Sequence, residues 1–312
     1  ISPYVYYAKK RKAEITQKEK KKQMSFSGRM DRAFQNALRL PLNCRTRYIL
    51  LSDCHRGTGN ANDNFQKNEF LYLAALDYYF RENFICLELG DGDELWENRS
   101  IERIKEAHRE SFEMLARFYE AGRLYLIYGN HDMVKKNPTY RDKYFRTYFC
   151  DQELCERPLC PGVRFYSGII LKDQEKKQDI YLTHGHQADL LNSTFWRVSR
   201  FLVRYIWRPL ESLGIPDPTS AAKNNTRKKE SEKKLSGWAG RHGHILITGH
   251  THHPMITDSG YLNTGSCVHP SGITGIEISN RCLTLVKWSV AARQDLSLYA
   301  RREILGEPVR LP

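Results

Sequence analysis

Asp53-Cys54-His55, Gly90-Asp91, Gly129-Asn130-His131-Asp132, His184-Gly185-His186 and Gly249-His250-Thr251-His252 follow one another along the chain, each after a short apolar run. Carboxylates, imidazoles and a carboxamide are ligands for divalent cations, and a mixed oxygen and nitrogen set suits Mn, Fe or Zn better than Ca. On an extended segment Asp53 and His55 present their side chains to one side, with Cys54 turned away, so both reach one ion. Asp91 can bridge two ions with its two oxygens, and Asn130 offers a neutral carbonyl oxygen. His184, His250 and His252 complete the shells, the one-residue gap at Thr251 again setting both rings on one side. Two such ions, roughly 3.5–4 Å apart, polarise a phosphoryl group and hold a hydroxide for in-line attack. His131, beside Asn130, is then placed to protonate the leaving oxygen or to stabilise the developing charge. Glu94, three residues after Asp91, can orient that imidazole through its second nitrogen. One such motif is commonplace, whereas five in order at strand ends are specific together.

The elements that must carry these groups alternate as strand, loop and helix. Strands are expected over 48–51, 84–89 and 124–128. Helices are expected over 66–80 and 100–119, the second N-capped by Ser100 and stopped near Gly122. Two successive βαβ units imply parallel strands with right-handed crossovers, and sites in such sheets gather at the carboxyl ends of the strands. The second half is richer in strands, at 163–165, 169–171, 181–183, 245–248, 261–263, 275–278 and 283–288. Two facing sheets with helices outside is the economical architecture.

Residues 1–43 form a basic extension, with Met30, Phe34, Leu38 and Leu40 at helical spacing. The main domain is expected over 44–290, interrupted at 187–240 by a helical cap, and 291–312 is expected as a C-terminal tail. Within the cap Arg197, Arg200, Arg204 and Arg208 share one helix face. Leu191, Phe195, Val198, Leu202, Tyr205 and Ile206 cover another, which is expected to pack. A lid over the site and a solvated basic stripe both fit. Arg56 and Arg99 border the motifs, where either can clamp a phosphate through paired hydrogen bonds or simply lie on the surface.

The chain has 312 residues, 40% of them hydrophobic, which predicts a globular protein with a sizeable core. It lacks a run of eighteen apolar residues, so no membrane span is expected. The eight cysteines are scattered and one lies inside the first motif, which predicts a reducing, cytoplasmic setting. A net charge of +13 favours an anionic partner. A small phosphorylated substrate, an anionic membrane touched from the periphery and nucleic acid all meet that description, and oligomeric state is left open.

The ordered motifs resemble the calcineurin-like metallophosphoesterase superfamily over about residues 47–290. The resemblance implies an α/β fold, a four-layer αββα sandwich of two facing mixed sheets flanked by helices, around a dinuclear metal site. One ion would take Asp53, His55, Asp91 and His252, the other Asp91, Asn130, His184 and His250, with His131 as the catalytic histidine. Gly90-Asp91-Gly92-Asp93-Glu94-Leu95-Trp96, Gly249-His250-Thr251-His252-His253-Pro254 and the basic helical insertion are similar to the UDP-2,3-diacylglucosamine pyrophosphatases. Those enzymes usually carry Arg where this chain has His131, the general phosphodiesterase and phosphatase form of the superfamily. The expected activity is hydrolysis of a phosphoester or pyrophosphate bond in a small nucleotide-type or nucleotide-sugar substrate. It would use two divalent ions, Mn²⁺ first and Fe or Zn as alternatives, with Arg56, Arg99, Arg197, Arg200 and Arg204 on the substrate. A lipid-linked pyrophosphate is the second substrate class and nucleic acid the third. A reading of another class makes the chain a basic binding module for membrane or nucleic acid with a non-catalytic metal site.

Overall fold

The computed structural model describes residues 25–150, 152–207 and 224–311. The aromatic cluster at 1–12, the charge run at 18–22, Arg208 and the 214–218 turn lie outside the described residues.

The first half runs α1 (Phe26–Gln35), β1 (Leu38–Leu42), β2 (Arg47–Leu51), α2 (Glu69–Arg81), β3 (Ile85–Leu89), α3 (Ile101–Ala107), α4 (Arg109–Glu120), β4 (Leu124–Ile127) and α5 (Pro138–Tyr144). A hairpin of β5 (Thr147–Cys150) and β6 (Cys155–Pro158) precedes β7 (Phe165–Tyr166), β8 (Gly168–Asp173), β9 (Ile180–Thr183), α6 (Leu190–Ser193) and α7 (Trp196–Leu202). The chain ends with α8 (Asn225–His242), β10 (Ile245–Thr248), β11 (Met255–Ile256), β12 (Tyr261–Asn263), β13 (Ile273–Ser279), β14 (Cys282–Ala292), β15 (Leu298–Ile304) and β16 (Val309–Arg310).

One sheet has the order β15-β14-β13-β2-β3-β4-β7 with β16 on β14, the other β1-β8-β9-β10-β12-β11. β2, β3 and β4 pair in parallel, as the two βαβ units require. The sheets face each other across a core that includes Leu50, Leu87, Ile127, Leu171, Leu182, Ile247 and Ile276. Each fully buried Leu or Ile there contributes about 1.5–3 kcal/mol. α2 and α4 cover the outer face of the first sheet through Tyr72, Leu76, Phe112 and Leu115. α1 and α8 cover the second through Met30, Leu235, Trp238 and Ala239. The result is four layers, α, β, β, α.

Three boundaries differ from the sequence reading. Leu38 and Leu40, expected on a helix, lie on β1, which pairs in parallel with β8 and buries Leu40 and Leu42. Pro41 is tolerated because β1 is an edge strand. Half of the expected C-terminal tail is sheet, since β15 and β16 both pair with β14. The expected cap divides: α6 and α7 project as an insertion, whereas α8 is a flanking helix of the sandwich.

The helix expected over 100–119 is capped by Ser100, whose hydroxyl accepts from the Arg103 amide, but it breaks at His108. That buried ring bridges Asp63 at 2.8 Å and Glu69 at 2.9 Å. Burial opposes its protonation, yet the two carboxylates outweigh it and raise the His108 pKa from 6.5 to about 9. A raised histidine stabilises the fold fully below its unfolded pKa and loses that contribution as pH climbs through the folded value. His108→Leu strands Asp63 in the interior and is expected to cost about 3 kcal/mol near neutral pH. Thermal melts should show the gap from wild type shrinking as pH rises from about 6.5 to about 9.

Candidate metal centre

All five motifs lie at the carboxyl ends of strands. Asp53 follows β2, Asp91 follows β3, Asn130 follows β4, His184 follows β9 and His250 follows β10, so both sheets feed one seam. The loops are tied together by their backbones. Asp53 N donates to Gly90 O at 3.0 Å, His55 N to Asp91 O at 2.9 Å and Gly249 N to His184 O at 3.0 Å. A Cβ on Gly129 would come within 2.0 Å of Asp91 Oδ1, and one on Gly249 within 2.3 Å of Asp53 Oδ2, so side chains are excluded where the loops close on the carboxylates.

Asp53, His55, Asp91, His250 and His252 all have positive φ, between 47° and 71°. The expected strand-like alternation of Asp53 and His55 is therefore replaced by left-handed turns. These cost about 1–2 kcal/mol per residue outside glycine. The turns also send His250 and His252 apart instead of to one side. Donor atoms of Asp53, His55 and His252 lie within 4.8 Å of one another, as do those of Asp91, His184 and His250. The two groups adjoin, with His55 Nε2 3.7 Å from Asp53 Oδ1 and 3.8 Å from Asp91 Oδ2.

Four of the donors are anchored at one atom, and His55 Nε2 lies 3.3 Å from His252 Nε2. Asp53 Oδ2 accepts from the His250 amide at 2.9 Å and from the Ser52 hydroxyl. Asp91 Oδ1 accepts from the His131 amide at 2.8 Å. His184 Nδ1 donates to Leu89 O at 2.8 Å, and His55 Nδ1 to Glu94 Oε2 at 2.8 Å, which leaves each Nε2 with its lone pair toward the cluster. Asp53 Oδ1, Asn130 Oδ1, His184 Nε2 and His250 Nε2 are buried with no hydrogen-bond partner. Although His184 Nε2 is 3.1 Å from Asp91 Oδ2, and His252 Nε2 3.1 Å from Asp53 Oδ1, neither pair is aligned as a hydrogen bond. Unpaired buried carboxylate, amide and imidazole atoms are costly in isolation and are the donors a divalent cation takes. The residues present therefore fit a metal site.

Burial works against ionising Asp53 and Asp91, but the neighbouring imidazoles, His252 and His184 for the first and His184 and His131 for the second, hold both below the usual carboxylate range. His184 is raised to about 9 by Asp91 and Asp53 against its burial, whereas burial and the His184 charge push His250 down to about 3.

Beside the cluster, Glu94 holds two rings at once. Its Oε1 accepts from His131 Nδ1 at 2.8 Å while Oε2 takes His55. Trp96 stacks on His131 with ring centroids 4.3 Å apart and planes at 21°. The link from Glu94 to His131 was readable from their spacing to the motifs; the link to His55 and the Trp96 stack depend on the loop's path and carry no local signal. His186 is buried next to His184 with Nδ1 unpartnered, outside both donor groups.

The arginines are placed differently from expectation. Arg56 is only 1% exposed and turns away from the site, bound to Asp93 at 2.7 Å and Glu88 at 2.9 Å and 3.0 Å. Lys135, equally buried, pairs with Asp93 and Asp132 at 2.7 Å and 2.6 Å. A buried cation this well paired is not available to a substrate, and the structural role replaces the expected phosphate clamp. Arg204 instead latches the cap to the Asp91 loop, donating to Trp96 O and Leu95 O at 2.7 Å each. Arg99 donates to the Tyr205 hydroxyl at 2.7 Å. Arg197 and Arg200 lie over the Trp196 ring.

A family model described as calcineurin-like phosphoesterase matches residues 46–254, the span that holds every donor described above. Among curated proteins no match is found.

Asp91→Asn removes a charge facing both donor groups and is expected to lower bound metal per chain, read by elemental analysis after dialysis. Glu94→Ala releases His55 and His131 together. Metal affinity and turnover should each fall by about 10–100-fold, and loss on one readout alone would contradict the double role.

Proposed function

The chain belongs to the calcineurin-like phosphoesterase family and is a metal-dependent phosphoester hydrolase; from that premise we propose that it uses two divalent ions to cleave a phosphoester or phosphoanhydride bond in a small anionic substrate of the nucleotide or nucleotide-sugar type. The reading rests on two adjoining donor groups, with Asp53 Oδ1, Asn130 Oδ1, His184 Nε2 and His250 Nε2 buried and unsatisfied. Asp53, His55 and His252 would hold one ion and Asn130, His184 and His250 the other, with Asp91 between them. The mixed ligands favour Mn²⁺, with Fe or Zn as alternatives. When bound, the ions would supply Lewis acidity toward the phosphoryl oxygens and a nucleophilic water at neutral pH.

The chain's own residues account for the remaining steps. Glu94 holds Nδ1 of His131 and Trp96 fixes the plane of its ring, which leaves Nε2 to protonate the leaving oxygen. Arg99, Arg197 and Arg200 are the expected arginines left for a substrate phosphate. The eight cysteines are free thiols, Cys54 next to Asp53 among them, and favour a cytoplasmic setting. Among the described residues no helix is long and apolar enough to cross a membrane.

A second reading, a lipid-linked pyrophosphate of the UDP-2,3-diacylglucosamine kind, is favoured by the apolar cluster of Trp96, Met133, Trp196 and Val203 beside His131. The binding-module reading is disfavoured because no expected donor is replaced.

Turnover of bis-p-nitrophenyl phosphate and p-nitrophenyl phosphate with added Mn²⁺, followed by a panel of nucleotide-sugar and lipid-linked pyrophosphates, ranks the substrate classes. Activity should vanish with chelator, and silence across every panel would overturn the hydrolase reading. His131→Ala should keep metal near the wild-type level while turnover drops roughly 10²–10⁴-fold. Parallel loss of metal would contradict the proton-transfer role.

A further inference from the structure

The insertion from α6 through α7 and the turn at 203–207 carries three stripes at helical spacing. Trp196, Ser199 and Val203 face inward and are buried. Arg197, Arg200 and Arg204 form the second stripe. Phe195, Val198, Phe201 and Tyr205 form the third, and it faces solvent: Val198 is 54% exposed, Phe201 57% and Tyr205 50%. Leu190, Leu191 and Ile206 extend the same exposure. The packed face expected from the pattern is thus the outward one. Seven large exposed apolar side chains thus fall within one short insertion, and a second group, Val290, Leu296, Leu298, Ile304 and Val309, lies along the β14, β15 and β16 edge without the flanking arginine and tryptophan contacts of the insertion. An apolar surface of this density marks an interaction site.

We propose that this face of the cap docks on an anionic lipid bilayer. Charge selects the occupant. Arg197 and Arg200 flank the apolar stripe, Lys136 joins them over the Trp196 ring, and the whole chain carries +13. Apolar and aromatic side chains entering the acyl boundary, with arginines at headgroup level, is the arrangement of an interfacial amphipathic helix. A second copy of the chain fits worse, because a two-fold contact through this stripe would oppose the arginines to themselves. The insertion is also held rigidly enough to present the face. Arg204 ties it to the carbonyls of Leu95 and Trp96, and Tyr205 to Arg99. The surface thereby sits beside the metal-site loops, and the docking holds whichever bond the enzyme cleaves.

The test is co-sedimentation of the full chain with phosphatidylcholine vesicles and with vesicles mixed with phosphatidylglycerol. Wild type is expected to bind the mixed vesicles and to be released by salt. The Val198→Asp/Phe201→Asp variant should lose at least about 10-fold in binding. Its melting temperature and its turnover of bis-p-nitrophenyl phosphate should stay unchanged, which separates docking from folding and from catalysis. Binding by the double variant at the wild-type level would assign attachment to the basic N-terminal residues and overturn the proposal. So would wild type that ignores both vesicles, or light scattering that shows a dimer dissolved by the same substitutions.

Discussion

Several buried side chains meet at the seam of the two sheets with inward atoms that cannot satisfy one another. Carboxylate oxygens face imidazole nitrogens 3.1–3.8 Å away without hydrogen-bond alignment. The rest of the structure is arranged to hold that unsatisfied set together. Backbone amides of His250 and His131 take the outer oxygens of Asp53 and Asp91, so each motif locks the carboxylate of another. Five residues of the donor groups stand in left-handed backbone, a cost of about 1–2 kcal/mol apiece that a packed core would otherwise avoid. Divalent cations at the inward atoms would return that free energy on binding. Strain and orphaned donors in one place thus have a single physical explanation.

Behind the cluster lies a second set of buried charges whose members contact one another. Arg56 and Lys135 bind Glu88, Asp93 and Asp132, all nearly without solvent access, and burial raises the Asp132 pKa where three carboxylates share two cations. Burial opposes ionisation of Asp93, but the two cations outweigh it and lower its pKa to about 2. Asp132 also accepts from the amides of Gly129 and Gly92, which joins the third motif to the second. Removing either cation would leave a carboxylate uncompensated in the interior, and such losses run to about 3–5 kcal/mol. The paired set therefore fixes the loops so that the unpaired set can stay unpaired.

Much of this was legible in the sequence because strands announce themselves. β2, β3, β4 and β10 are apolar runs that end one or two residues before a motif; parallel pairing puts the ends of β2, β3 and β4 together in one sheet and those of β9 and β10 together in the other, and the two sheets face each other. Each donor group takes residues from both sheets. What period-two reasoning misses is what happens once the strand has ended. Asp53 and His55 do not alternate because φ is positive at both, and a spacing of two says nothing about residues in left-handed turns. Arg56 and Glu88 are 32 positions apart, so their pairing belongs to the tertiary fold and the chain around Arg56 reads like a substrate loop. β1 escapes notice because Leu38-Arg39-Leu40-Pro41-Leu42 is short and contains proline, which only an edge position allows.

The cap shows the limit of amphipathic patterning most directly. A helix with an apolar stripe and a basic stripe is ordinarily docked apolar side down, yet here Trp196, Ser199 and Val203 form the docked face and Phe201 the exposed one. The choice is made by contacts no helix period encodes. Arg204 reaches the carbonyls of the Asp91 loop, and this can happen only when the basic stripe tilts toward the site. Rotating the helix to bury Val198 and Phe201 would pull the guanidinium off Leu95 and Trp96. Because Trp96 also stacks on His131, the residue that sets the cap's rotation supports the ring proposed to move the proton. One hydrogen-bonded latch therefore ties the orientation of the outer surface to the geometry of the His131 ring.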